Sequence, residues 1–392
     1  NRPGDANVSP LAVYRRAAKA DSVQQRRPNV VLIMMESMSA EFMKHFGQSE
    51  TLTPFLDSLY TRSISFRNFY SAGIHTNHGL YATLYSFPAM MKRNLMKGSV
   101  IPRYSGLPTV LKENGYYNLF FMTHEGQYDN MNAFFRTNGY DEVFSQEDYP
   151  ADKVVNSFGV QDDFLYDYAI PVLNQRAATG QPFFATLLSI SNHPPYVIPP
   201  FFHPKTSEPE TQIVEYADWA LRQFFEEARK QPWFDNTIFV LEGDHGKLVG
   251  DAECELPESY NHIPLMIYSS RIQPEEKTTF GGQVDIQPTI LGLLNIDYLQ
   301  NNFGVDLLKE ERPCMFYTAD NMVVGRNDTL LYLYNYETQQ ELTYDIGNGK
   351  LNAVPMDDSF LPLKEYSFSM LQSAEFLVKH GKTLNSIPFT QQ

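Results

Sequence analysis

Asn29-Val-Val-Leu-Ile-Met-Met35 runs directly into Glu36. The run is short, bounded by turn residues and rich in branched side chains, so it reads as a buried strand ending on an acid. Three further runs repeat the arrangement. Tyr116-Tyr-Asn-Leu-Phe-Phe-Met-Thr123 ends at His124, and Pro182-Phe-Phe-Ala-Thr-Leu-Leu-Ser-Ile190 is followed within three residues by His193. Thr237-Ile-Phe-Val-Leu241 passes through Glu242-Gly243 into Asp244-His245-Gly246. In open α/β sheets the ligand crevice lies beyond the carboxyl ends of the strands. Four such ends carrying groups that bind metals or move protons point to an active site on one sheet edge.

Helical signals separate the strands. Thr53-Pro54 opens a helix through Tyr60, with Thr as predicted N-cap and Pro at the first helical position. Ser65–Tyr70 alternates like a strand, Ser71-Ala72-Gly73 is a turn, and His75-Thr76-Asn77-His78-Gly79 begins a helix through Leu84. Leu107–Asn114 is a helix closed by Gly115, 211–230 is amphipathic, Ile263–Tyr268 is a strand, and Asp285 caps a helix through Leu294. This β-α alternation predicts a mostly parallel central sheet with helices on both faces. After Arg312 short alternating strands follow one another at 315–318, 321–324, 329–334 and 341–345, and a helix spans 362–380. The predicted organisation is a lead-in over 1–28, a catalytic α/β domain over 29–311 and an α+β subdomain with an antiparallel sheet over 312–392.

The 392 residues are 43% hydrophobic and 14% aromatic, enough for a large core. The net charge of −15, from 31 basic and 46 acidic residues, argues against a nucleic-acid partner. An anionic substrate therefore needs a local positive field, and a divalent cation is the simplest source. Cys254 and Cys314 do not make a zinc site, and their spacing does not say whether they pair. No apolar stretch approaches the ~18 residues of a membrane helix. The chain begins with Asn rather than Met, so removal of an N-terminal part is expected.

Glu36, Thr76, Asp244 and His245 offer three oxygen donors and one nitrogen, a set suited to Mn²⁺, Mg²⁺ or Zn²⁺. Such an ion would depress the hydroxyl pKa of Thr76. Thr76 also sits where a helix begins, so backbone N–H groups and the dipole would face an incoming phosphate. Helix capping alone is the plainer role for a Thr there.

These residues, with Thr53-Pro-Phe-Leu-Asp-Ser-Leu59, Phe66-Arg-Asn-Phe-Tyr70, Ser191-Asn-His193-Pro-Pro-Tyr196, Asn261-His-Ile-Pro-Leu-Met-Ile267 and Val284–Leu294, resemble lipoteichoic acid synthase-type phosphoglycerol transferases of the sulfatase and alkaline phosphatase superfamily. The resemblance spans roughly residues 29–296. It implies Glu36, Asp244 and His245 as metal ligands, Thr76 as nucleophile and metal ligand, and His193 as a substrate-facing or proton-transferring group. It implies attack of Thr76 on a phospholipid-type phosphodiester and a covalent phosphoryl-threonine. The group then passes to a glycan or alcohol acceptor, or to water in a phosphodiesterase or phosphatase. A non-catalytic sensor on the same scaffold is the third reading, and the intact Glu36, Thr76, Asp244 and His245 argue against it. The resemblance also implies a membrane-anchored protein at the extracytoplasmic face of a bacterial membrane, with Mn²⁺ the first choice of metal.

His124, His262 and Asn77 complete the predicted substrate-binding set, and a second ion held by some of His193, His262 and Asp163 is conceivable without support from spacing. One departure stands out. Met131 occupies the place where the resemblance implies a substrate-binding arginine, and Arg136 is nearby but out of register. A Cys/Ser-x-Pro-x-Arg segment of true sulfatases is replaced by Thr76-Asn-His-Gly-Leu80, which speaks against sulfate ester hydrolysis.

Overall fold

The computed structural model describes residues 13–15, 27–347 and 349–385. In chain order they form β1 (Val13–Arg15), β2 (Asn29–Met35), α1 (Pro54–Tyr60), β3 (Ile64–Tyr70), α2 (Thr76–Tyr85), α3 (Leu107–Glu113), β4 (Tyr117–Phe121), α4 (Met131–Thr137), β5 (Glu142–Phe144), α5 (Asp162–Ala178) and β6 (Phe183–Leu188). They continue with α6 (Pro209–Ala228), β7 (Thr237–Gly243), β8 (Leu265–Tyr268), β9 (Glu275–Gly282), α7 (Ile286–Leu293), β10 (Tyr298–Gln300), β11 (Met315–Thr318), β12 (Met322–Arg326), β13 (Leu330–Asn335), β14 (Gln340–Gly347), β15 (Lys350–Ala353) and α8 (Leu361–Lys379). Among them no helix is long and apolar enough to cross a membrane. The described residues fall into two compact units, 27–71 with 111–279, and 72–110 with 280–385 and 13–15.

The first unit is built on the eight-stranded sheet, ordered β5-β4-β6-β2-β7-β8-β3-β9. β2 lies between β6 and β7 and is parallel to both; β4 is parallel to β5 and β6. β8 runs against β7 and β3, so β3 points the same way as β2 and β7. The carboxyl ends that the sequence marked as reactive therefore do share one edge. β2 reads as a continuous apolar run because both of its faces are covered. Val31, Ile33 and Met35 pack with Leu165, Leu173, Leu221 and Phe224 from α5 and α6, while Val30, Leu32 and Met34 on the other face are equally buried.

Two local findings depart from the sequence reading. Thr53 occupies the cap position of α1, but its hydroxyl bonds Phe42 O and Asp57 Oδ2. The exposed N–H groups of Phe55 and Leu56 go instead to Asp218 of α6, each at 2.9 Å, so a distant carboxylate caps the helix. Burial pushes Asp218 up to about 7 against the pull of those two N–H bonds. The sequence reading also made no assignment for α5, although its buried Leu165, Tyr166, Ala169, Ile170 and Leu173 recur at helical spacing. Its Pro171 sits inside the helix on an exposed position.

The second unit carries the five-stranded antiparallel meander β11-β12-β13-β14-β15, with α8 against β11 and β12. This is the predicted C-terminal antiparallel sheet, with β15 added. Arg312 is buried and pairs with Asp285 at 2.6 Å, while also donating to Tyr366 Oη and Phe303 O. Asp285 thus spends its carboxylate on Arg312 rather than on capping α7. The lead-in over 1–28 lies outside the described residues except for 13–15 and 27–28. There Val13–Arg15 is a strand paired antiparallel with β10, so part of the lead-in is regular structure. Cys254 and Cys314 are free thiols.

Candidate metal centre and active site

In the first unit, β2 and β7 run side by side with Met35 opposite Gly243, so the residues after each strand emerge together. Asp244 N donates to Met35 O at 3.0 Å, which extends the ladder one step past β7. Ser37 turns through a left-handed conformation, φ 50°. Its N–H reaches Asp244 Oδ1 at 2.8 Å and its hydroxyl donates to Glu36 Oε1 at 2.7 Å. Glu36 N donates to Ser189 Oγ at the end of β6. Gly246 is required here, because a Cβ would stand 1.9 Å from Ser259 O.

One donor atom each from Glu36, Asp244 and His245 lies within 4.8 Å of the others. His245 Nε2 is 3.6 Å from Glu36 Oε1 and 3.7 Å from Asp244 Oδ2, too far for hydrogen bonds. His245 Nδ1 is held by Gly246 O at 2.8 Å. That contact assigns the proton to Nδ1 and presents the Nε2 lone pair to the carboxylates. Glu36 and Asp244 are 1% and 0% exposed, and two buried carboxylates facing one imidazole lone pair call for a cation. The residues fit a divalent ion. Among the described residues this is the one group of three His, Cys, Asp or Glu side chains with that geometry; Asp163 is instead bonded by Tyr216 Oη at 2.6 Å, and no second cluster forms with His193 and His262.

The remaining predicted residues of this unit divide. His193 carries its Nδ1 2.6 Å from Pro194 O and lies against Phe158 with ring centroids 4.0 Å apart and the rings tilted by 42°. His124 is buried, its ring 4.6 Å from that of Tyr128, which in turn lies 6.4 Å from Phe158, and burial lowers its pKa. These two histidines therefore face a common region. His262 does not join it. Its Nδ1 pairs with Glu41 Oε1 at 2.7 Å and its Nε2 with Arg67 O at 2.8 Å. Both ring nitrogens are spent inside the fold, which corrects the expected phosphate contact. Met131 is fully buried at the start of α4, consistent with its apolar character.

Two residues with polar roles at this edge escaped the sequence reading. Asn192 donates from Nδ2 to Ser37 O at 3.1 Å and accepts from Lys247 Nζ at 2.5 Å. Lys247 Nζ also reaches Tyr196 Oη at 3.1 Å and lies over the rings of Tyr196 and Phe42. Burial lowers Lys247 to about 8, against the opposing pull of Glu36 and Glu210. Its position directly after Asp-His-Gly was the available signal; its burial was not readable.

In the second unit Thr76 is the first residue of α2, with His75 in the cap position. Thr76 is therefore inside the helix rather than its N-cap. Thr76 and Asn77 are partly exposed, while His78 is buried. Gly73 is needed because a Cβ there would stand 2.3 Å from His78 Nδ1. His75 Nε2 meets Asp320 Oδ1 at 2.7 Å, and Thr318 N donates to Ala72 O at 3.0 Å, so the turn after β11 holds the segment leading to Thr76.

The sulfatase family model matches residues 28–296. The chain belongs to the sulfatase family. This sulfatase-family chain is 25% identical over 371 residues to lipoteichoic acid synthase 1 of Bacillus subtilis (strain 168), covering 88% of the chain and 55% of that protein. It is 26% identical over 322 residues to phosphoglycerol transferase I of Xanthomonas campestris pv. campestris, covering 77% and 46%. The chain thus spans about half the length of these curated relatives. Among solved structures, a protein of the alkaline phosphatase superfamily from Vibrio parahaemolyticus matches with TM-score 0.85 and 26% identity over 97% of this chain and 94% of that one. The lipoteichoic acid synthase LtaP of Listeria monocytogenes matches with TM-score 0.78 and 21% identity over 90% and 93%, which bears on the fold alone.

Proposed function

We propose that this chain is the catalytic part of a divalent-metal phosphoglycerol transferase, or a transferase of a related phospho-alcohol group. The observation that carries the reading is the buried Glu36–Asp244–His245 donor set at the carboxyl ends of β2 and β7. The names of its curated relatives, lipoteichoic acid synthase and phosphoglycerol transferase, support the group transferred. Glu36, Asp244 and His245 would hold the ion together with Thr76, and Mn²⁺ suits that mixed oxygen and nitrogen set. When bound, the ion supplies charge that favours an ionised hydroxyl and an anionic phosphate.

Thr76 is the proposed nucleophile. Thr76 is the first residue of α2, where backbone N–H groups and the helix dipole favour an anionic phosphate. Its Oγ bonds to phosphorus as the P–O bond to the lipid alcohol breaks, and the departing oxygen takes the electron pair and a proton. In the second half an acceptor hydroxyl attacks phosphorus, the P–Oγ bond breaks and Thr76 regains its proton. His193 and His124 border the substrate, and His193, the more exposed of the two, is placed to carry protons. Asn77 lies beside the nucleophile. His262 is left out because both its nitrogens are engaged. The donor is an anionic phospholipid-type phosphodiester and the acceptor a glycan or alcohol, at the extracytoplasmic face of a bacterial membrane.

Incubation with headgroup-labelled phosphatidylglycerol, with and without glycan acceptors, tests the reading. Label should appear on Thr76 and then on the acceptor, and Thr76→Ala should keep fold and metal while losing turnover by more than about a thousandfold. Undiminished turnover in that variant would remove Thr76 as nucleophile, and release of free glycerol phosphate in every case would replace transfer by hydrolysis.

A further inference from the structure

A chain of net charge −15 that takes an anionic phosphodiester needs a cationic group at the site besides any ion. The side chains closest in sequence to that task are otherwise engaged. Met131 is buried and carries no charge, and Arg136 bonds Asn132 Oδ1 at 2.8 Å and the carbonyls of Asp141 and Val143.

Lys247 is different. Asn192 Oδ1 and Tyr196 Oη take two of the three donors of its ammonium. Its backbone N–H is fixed by Ser39 Oγ at 2.8 Å, and Asn192 ties the same corner to Ser37 O. The stem is thus locked two residues after His245 and one side chain away from the Glu36 turn. The rings of Tyr196 and Phe42, 4.7 and 5.3 Å from Nζ, shield it from water and strengthen its interaction with an anion. A lysine needed only as filler would not require two polar anchors and a third donor left over.

We propose that Lys247 binds the substrate phosphate, giving its third ammonium donor to an anionic oxygen of the phosphodiester taken up at the Glu36–Asp244–His245 cluster. The assignment rests on the phosphotransferase reading above, and it names the group that discriminates for an anionic phosphate.

Titration calorimetry with sn-glycerol 3-phosphate and with inorganic phosphate, on Mn²⁺-supplemented protein, tests it. Lys247→Met keeps the apolar stem and removes the charge. It should weaken both ligands about ten- to a hundredfold, the loss of one charged hydrogen bond, with metal content equal to wild type. Lys247→Arg keeps the charge and should stay within about threefold, while Tyr196→Phe removes one anchor and should cost less than Lys247→Met. Should Lys247→Met not fold, Lys247→Gln takes its place with the same expectation. Unchanged affinity in the charge-removing variant overturns the proposal. So does a wild type that binds neither ligand, loss of metal in Lys247→Met, or an equal loss in Tyr196→Phe, which would reduce Lys247 to a prop for the tyrosine. Labelling of Thr76 in wild type separates the two readings: label with normal binding in Lys247→Met sinks only the lysine assignment, while Lys247-dependent binding without label sinks only the reaction.

Discussion

Two buried histidine–carboxylate clusters sit in the same compact unit, and only one of them is built to take a ligand. His245 gives Nδ1 to Gly246 O and turns Nε2 toward Glu36 and Asp244 at 3.6 and 3.7 Å, a separation that no hydrogen bond spans. His262 gives Nδ1 to Glu41 at 2.7 Å and Nε2 to Arg67 O at 2.8 Å. Both clusters pair a largely buried imidazole with carboxylate, although Glu41 is more exposed than Glu36 or Asp244. What differs is the accounting of lone pairs. A histidine with both nitrogens inside direct hydrogen bonds is a tie between loops, whereas one with a nitrogen facing two carboxylates across a gap is a ligand.

The comparison can be broken by exchanging the consequences of mutation. Asp244→Asn should abolish metal binding and lower turnover by more than about a hundredfold, since even outer-shell changes at metal sites cost ten- to a hundredfold; turnover and bound metal near wild type would erase the distinction. His262→Gln should do the reverse. Metal content stays as in wild type, while stability falls by about 1 kcal/mol because the partly buried Glu41 loses its hydrogen-bonded partner, read as a lower midpoint in denaturant at unchanged slope.

A smaller effect concerns pH. Asp218 is raised to about 7 by burial, despite the two α1 N–H bonds it accepts. The folded chain then holds a proton that the unfolded chain has lost from about 4 upward, so this residue's contribution to stability is full below that value and disappears as pH rises through about 7. Denaturant midpoints should decline across that window, and Asp218→Asn should flatten the decline. A slope of opposite sign, or one unchanged by the substitution, contradicts the assignment.

Much of the fold was legible because its signals are local. Unbroken runs such as Asn29–Met35 and Thr237–Leu241 can only be strands covered on both faces, and Pro54, Gly115 and Asp285 punctuate helices where the structure has them. The Glu36 and Asp244-His245 assignments were legible for the same reason, since strand ends bring them to one edge. What the sequence hid is tertiary. Asp218 caps α1 from 162 residues away, and Arg312 takes Asp285 out of its capping role. His262 resembled a site residue because its two partners, Glu41 and Arg67 O, lie 221 and 195 residues away in the chain, the latter in β3. Lys247 was overlooked because a lysine in sequence looks exposed, and only Asn192, Tyr196 and Phe42 bury it.

The metal role of Glu36, Asp244 and His245 rests most directly on the ion itself. Elemental analysis after dialysis against Mn²⁺, on wild type, Asp244→Asn and His262→Gln, should give one ion per chain in the first and third and none in the second. Equal metal in all three, or its loss from His262→Gln with retention in Asp244→Asn, would contradict it.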